Sequence, residues 1–215
     1  MTNFFVDLVT TTDEARRTFE NHPVALDAVA NGLSVERYRR LLLELYQVVW
    51  HFNPMCAAAA SRMQDEHKQV RHFLYDHMRE ESGHEEWVRN DLQAIGVSAL
   101  TLEAHQPTHS TLAMVGYNFW CADRRHPCAV LGMMYALEVI ASVYGGLLAT
   151  AVHDSLLLEG EQGTSFLSSH ASMDAKHMVD LRLILNTVGD RDAQAAIVEA
   201  ANVNFDMVTR VFAAI

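Results

Sequence analysis

Residues 129–152 read AVLGMMYALEVIASVYGGLLATAV. The run is long enough to cross a bilayer, which takes about 20 apolar residues. It carries one formal charge, Glu138, near its middle. An ionised carboxylate at that depth is costly in lipid and in a protein core alike, so Glu138 must be protonated, paired or metal-bound. The Gly145-Gly146 pair and the small residues around it suit close helix packing. The run is therefore expected as the central helix of a folded bundle rather than a membrane span. A chain organised around such a rod must bring something to Glu138.

The remaining sequence supplies further rods. Only 4 prolines and 10 glycines punctuate 215 residues, and apolar side chains recur at three- and four-residue spacing almost throughout. That period predicts helix nearly everywhere. A first helix is expected over 12–31, interrupted at His22-Pro23 and ended by Gly32. Ser34 caps the next, which should break or kink at Asn53-Pro54 and continue to about Met63. One long helix is expected over 66–95, ended by Gly96, followed by a loop containing Pro107. Further helices are expected over 110–123, from His126-Pro127 through the apolar run, over 165–188 after the turn EGEQGTS, and over 191–214. No linker is long enough to divide the chain. The expectation is all-α: one domain, 1–215, a bundle of seven to eight helices.

Net charge is −11, which argues against nucleic acid or an anionic membrane surface as partner. Cys56, Cys121 and Cys128 form no CxxC motif and read as buried free thiols in a reducing compartment. The start, MTNFFVDLVTTTDEARR, lacks the basic-then-apolar pattern of a secretory leader, so a cytoplasmic location is expected. There is no GxSxG and no glycine-rich phosphate loop.

The informative polar residues form a pattern. In HASMDAKHMVDL, residues 170–181, steps of four and three place His170, Asp174 and His177 on one helix face. His77, Glu81 and His84 repeat that spacing within the predicted 66–95 helix. Each set holds an acid-x-x-His pair. Glu138 and Glu44, in RLLLELYQVVW, are lone acids in apolar surroundings on two other helices. Two acid-x-x-His helices and two single-carboxylate helices are the inventory of a carboxylate-bridged two-metal site inside a bundle. Alternatives stand beside this. Glu44 either touches metal or holds an arginine such as Arg71 or Arg79. His77 is a ligand, a donor behind the ligands, or a pocket wall. Glu80, Glu85 and Glu86 read as a solvated acidic face. His67, His72, His105, His109 and His153 read as surface or capping residues, and Lys176 is expected to point away from the site.

HPVALDAVANGLSVERYRRLLLELYQVV resembles the opening of the heme-oxygenase-like helical fold, shared by heme oxygenases, thiaminase II and pyrroloquinoline quinone synthase. EESGHEEWVRNDLQAIG, YALEVIA and HASMDAKHMVDL resemble more specifically the heme-oxygenase-like diiron oxidases and oxygenases. The resemblance implies metal ligation by His84, Glu138, His170, Asp174 and His177. For the first glutamate it implies Glu81 by one family pattern. By another the position is that of His77, a departure. Glu44 matches a further glutamate that some members use on an earlier helix. The implied cofactors are two iron ions, or an iron–manganese pair, with dioxygen as co-substrate and a small organic molecule as substrate. An external electron donor and a homodimer are compatible with this reading; nucleic acid and membrane partners are not expected. The alternatives are a metal-free oxidase or thiaminase-like hydrolase of the same fold, or a non-catalytic metal-binding helical protein.

Overall fold

The central apolar run becomes one rod. Helix α9 (Val130–Ile140) passes through a π-helical turn (Ala141–Gly145) into α10 (Gly146–Leu156). The computed structural model describes residues 3–160 and 162–215; side chains of residues 171–175 lie outside the description. The segment Pro127–Leu156 is long and apolar enough to cross a membrane, but 72% of its most apolar window is buried by the rest of the chain. Around it pack α4 (Val35–Arg62), α5 (Lys68–Glu80), α6 (His84–Ala94), α8 (His109–Arg124), α11 (Ser165–Leu185) and α12 (Arg191–Ala213). The shorter helices Phe4–Thr11, Asp13–Glu20, Pro23–Asn31 and Ala99–Ala104 close the ends and sides. No strand occurs among the described residues.

Local chemistry explains many of the boundaries. Ser34 Oγ accepts the Arg37 N–H at 3.3 Å and starts α4. Gly32, at φ +73°, ends the helix before it in a conformation costly for other residues. Asp190 opens α12 by accepting the Asp192 and Ala193 N–H groups at 3.1 and 3.2 Å. Along the rod, α9 lies so close to α12 that a Cβ on Gly132 would drive into the carbonyl oxygen of Ile197. Two large apolar cores and a small third one result, and Leu137 and Ile140 of the rod touch both large ones.

Three expectations about helices are corrected. Of the break or kink expected at Asn53-Pro54, the break does not occur: α4 continues through Pro54 to Arg62. An interior proline costs about 3 kcal/mol, and here the helix is packed along α8, α6 and α5. The side-chain amide of Asn53 also donates to the Met78 carbonyl at 3.0 Å, pinning the helix beside the proline. The expected helix over 66–95 is two helices, because the chain turns at Glu81-Ser82-Gly83 with Gly83 at φ +97°. The expected loop around Pro107 begins with a short helix, Ala99–Ala104, capped by Ser98. These splits and additions give more and shorter helices than the seven to eight expected.

Candidate metal centre

Four helical segments meet around Glu138 and Glu81. This residue lies on α9 and is 8% exposed. Its Oε1 lies 3.2 Å from His177 Nδ1 on α11 and 3.7 Å from His77 Nε2 on α5. Glu81 follows α5 directly, and its two oxygens face different ways. Oε1 is 3.5 Å from His177 Nδ1 and 3.8 Å from His77 Nε2. Oε2 is 2.7 Å from His84 Nδ1, at the start of α6, and 3.8 Å from His170 Nε2 on α11. Two overlapping donor groups result: His77, Glu81, Glu138 and His177 in one, Glu81, His84 and His170 in the other. Glu81 belongs to both.

The route to this geometry differs from the one the spacing suggested. His77, Glu81 and His84 do not share a helix face, because α5 stops at Glu80. The turn through Gly83, in the left-handed region, brings His84 against Glu81. On α11, His170 and His177 do come from one helix. Asp174, the third residue of that stripe, has a side chain outside the described residues.

Neighbouring groups hold the imidazoles. His170 Nδ1 donates to the Phe166 carbonyl at 3.1 Å, which turns Nε2 toward Glu81. A ligating histidine is commonly fixed in this way through its other nitrogen. Asp91 on α6 anchors the first turn of α11 by accepting Ser165 N–H at 2.9 Å, Ser165 Oγ–H at 2.8 Å and Phe166 N–H at 2.8 Å. The His84 ring stacks on Trp87 with centroids 4.1 Å apart. Burial by itself pushes the Glu81 carboxyl up, but the His170 and His84 rings outweigh it and hold that group below the usual carboxylate range. Burial pushes His77 down, against the opposing pull of Glu81 and Glu138.

The donor set fits cations. Among the described residues, His77 Nε2, Glu81 Oε1, His84 Nδ1 and Glu138 Oε2 are buried without a hydrogen-bond partner. The short Glu81–His84 contact lies off the line of a hydrogen bond. An unsatisfied buried polar group costs about 1–3 kcal/mol, more when charged. Four orphans in one place are explained when their lone pairs converge on metal. Carboxylate and imidazole donors together suit iron and related first-row ions.

Other expected roles change. Glu44 is buried at 2% exposure, but it does not join the cluster and pairs with neither Arg71 nor Arg79. It accepts from His105 Nε2 at 2.9 Å, from Thr108 N–H at 3.0 Å and from Thr108 Oγ1 at 2.9 Å. Its helix faces the start of α8, whose orphan N–H groups offer a carboxylate ready partners. His105, expected as a surface or capping residue, is therefore a buried-acid partner. Glu80 is not simply a solvated acid, since it binds Lys176 Nζ at 2.7 Å and approaches His177 Nε2 at 3.4 Å. Lys176, 63% exposed, stays outside the cluster as expected. Asp91 was not singled out by the sequence. Asp91 occupies an apolar helical face (WVRNDLQAIG), the signal that exposed Glu138.

Beside the cluster lies an apolar cavity of about 140 Å³. Glu81, Glu138 and His170 form one wall; Phe52, Leu137, Tyr144, Phe166 and Phe212 are among the others. All three cysteines are buried and free. Burial pushes the Cys56 and Cys121 thiols up, and Cys128 up to about 12, so none has the low-pKa environment of a nucleophile. His22 Nδ1 faces the Val24 N–H at 3.4 Å and caps the helix over Pro23–Asn31.

Comparison with solved structures places the architecture in the heme-oxygenase-like class. A domain of unknown function with that fold from Shewanella denitrificans superposes with a TM-score of 0.87 at 20% identity, covering 98% of this chain and 90% of that one. A TenA homologue from Pseudomonas syringae pv. tomato gives 0.83 at 16% identity, covering 98% and 91%. Heme oxygenase-1 from the cyanobacterium Synechocystis, solved with heme, gives 0.78 at 17% identity, covering 99% and 92%. At these identities the likeness shows the fold alone. The sequence itself goes further: residues 39–207 match the family model described as iron-containing redox enzyme, and the chain belongs to that family. No curated protein matches the chain.

Proposed function

We propose that this protein is a non-heme dinuclear iron oxidase or oxygenase that uses dioxygen to oxidise a small, largely apolar molecule. The observation that carries the reading is the sharing of Glu81 between two donor groups, one oxygen facing each. His77, Glu138 and His177 would hold one ion with Glu81, and His84 and His170 the other; Asp174 is a further ligand in this proposal. Two iron ions so held would supply dioxygen activation, which protein side chains do not perform alone.

The chain's own residues do the rest. Glu81 and Glu138 offset cationic charge within a site screened from water. The Phe166 carbonyl and the Trp87 ring keep His170 and His84 oriented. Glu80 and Lys176 close the solvent side next to His177. The apolar cavity admits a substrate against Glu81, Glu138 and His170 and keeps bulk water from them. The same cavity favours catalysis over metal storage, which needs no apolar chamber. The protonated thiols disfavour a thiaminase-like hydrolase.

Metal analysis and dioxygen uptake test this. The anaerobically iron-loaded protein is expected to hold two irons per chain, and Glu138→Ala one fewer. Retention of two irons by that variant overturns the ligand assignment. Sustained dioxygen uptake with a turned-over substrate separates an oxidase from a store, whose uptake stops when its iron is oxidised.

A further inference from the structure

A second cluster of metal-binding donors lies at the other end of α5. His67 directly precedes that helix, ten residues before His77, which at 1.5 Å per residue puts it about 15 Å from the first cluster. His126 and Cys128 come from the turn leading into α9. One donor atom from each of His67, His126 and Cys128 lies within 4.8 Å of the others. The imidazole rings of His67 and His126 are 5.1 Å apart. Asp190, the cap of α12, sets its Oδ2 3.4 Å from His126 Nε2 and 3.9 Å from His67 Nε2.

One atom here lacks what a buried group requires. His67 is 8% exposed, and its Nε2 is buried with no hydrogen-bond partner. It points into a space bounded by a second imidazole, a thiol and a carboxylate. Glu66 reaches no nearer than 3.8 Å. We propose that His67, His126 and Cys128 form a second metal site, for a divalent cation of the zinc class, with the Asp190 carboxylate beside it.

The chemistry is consistent. Two imidazoles and a thiolate are borderline-to-soft donors of the kind zinc takes in tetrahedral sites, with bonds of about 2.0–2.3 Å. Those lengths require the donors to close by roughly 1 Å from their present spread. On binding, the S–H bond of Cys128 is exchanged for a sulfur–metal bond and the proton leaves to solvent; no electrons are transferred. One thiolate and one carboxylate then balance a dication. Binding has a local cost. His126 Nδ1 accepts the Cys128 N–H at 3.2 Å, so the ring carries its proton on Nε2. Ligation through Nε2 moves that proton to Nδ1 and opens this cap. An ion there would join the starts of α5, α9 and α12, three segments far apart in sequence.

Cobalt(II) provides the test, because thiolate-bound cobalt absorbs strongly in the near ultraviolet through sulfur-to-metal charge transfer, and among the described residues the first cluster contains no sulfur donor. Titration of protein already loaded with iron is expected to raise this band to saturation at one equivalent per chain. Cys128→Ser should abolish it and Cys121→Ser should not. His67→Gln, at the edge of the core, should weaken cobalt binding by roughly tenfold or more, and it decides the matter if Cys128→Ser fails to fold. Absence of the band in the unmodified protein, its persistence in Cys128→Ser, or unchanged affinity in His67→Gln overturns the proposal.

Discussion

Replacing Glu44 by glutamine preserves shape and removes a charge from a pocket that holds only donors. The carboxylate accepts from His105 Nε2 at 2.9 Å, Thr108 N–H at 3.0 Å and Thr108 Oγ1 at 2.9 Å. In Glu44→Gln one of the two acceptor oxygens becomes an NH₂ group facing those donors. Hydrogen bonds to a charged group are worth about 1.5–3 kcal/mol and neutral ones about 0.5–1.5. With two partners weakened by about 1–1.5 kcal/mol each, the loss is about 2–3 kcal/mol. For a chain of this length each kcal/mol moves Tm by about 2–4 °C, giving a fall of roughly 4–12 °C. Calorimetric unfolding measures the fall, and metal analysis of the same sample measures iron. The expected result is a lower Tm with full iron content, because Glu44 faces Thr108 and His105 rather than the cluster. Loss of iron with an unchanged Tm would refute this account and return Glu44 to the metal.

Two further substitutions probe the frame that positions the donors. Gly83→Ala places a side chain at φ +97°, where nothing crowds the new Cβ but the backbone itself resists; a loss of about 1–2 kcal/mol is expected, with weaker iron binding because His84 is the next residue. An unchanged Tm would mean that the turn does not need glycine. Gly132→Ala puts a methyl against the Ile197 carbonyl at the closest approach of α9 and α12. Overpacking of this kind costs about 1–3 kcal/mol, read as a lower denaturation midpoint, and an unaltered midpoint would show that the two helices separate freely.

Much of this molecule was legible in its residue pattern. The helical period identified an all-α chain, because amphipathic spacing repeats within each element and needs no distant information. The apolar run at 129–152 announced its own burial. Glu138 announced a partner, since a lone carboxylate in that setting has few inexpensive states. His84, His170 and His177 were legible as candidates for a related reason: imidazoles and acids repeated at one spacing on two segments. Glu44 shows the limit. Its apolar neighbours told of burial, yet its partners stand 61 and 64 residues away, and only the folded chain brings them near. Asp91, with partners 74 and 75 residues distant, was overlooked on the same account.

The amino-acid order by itself thus determined the helices, the buried rod and the stock of metal-binding side chains. Tertiary structure decided where α5 ends, which way each Glu81 oxygen faces, and that His67 meets His126 and Cys128. The physical reason is range. Helical propensity and amphipathic period act over three or four residues, whereas a coordination site and a buried carboxylate's hydrogen bonds depend on how separate rods cross. Those crossings follow from packing summed over the whole core.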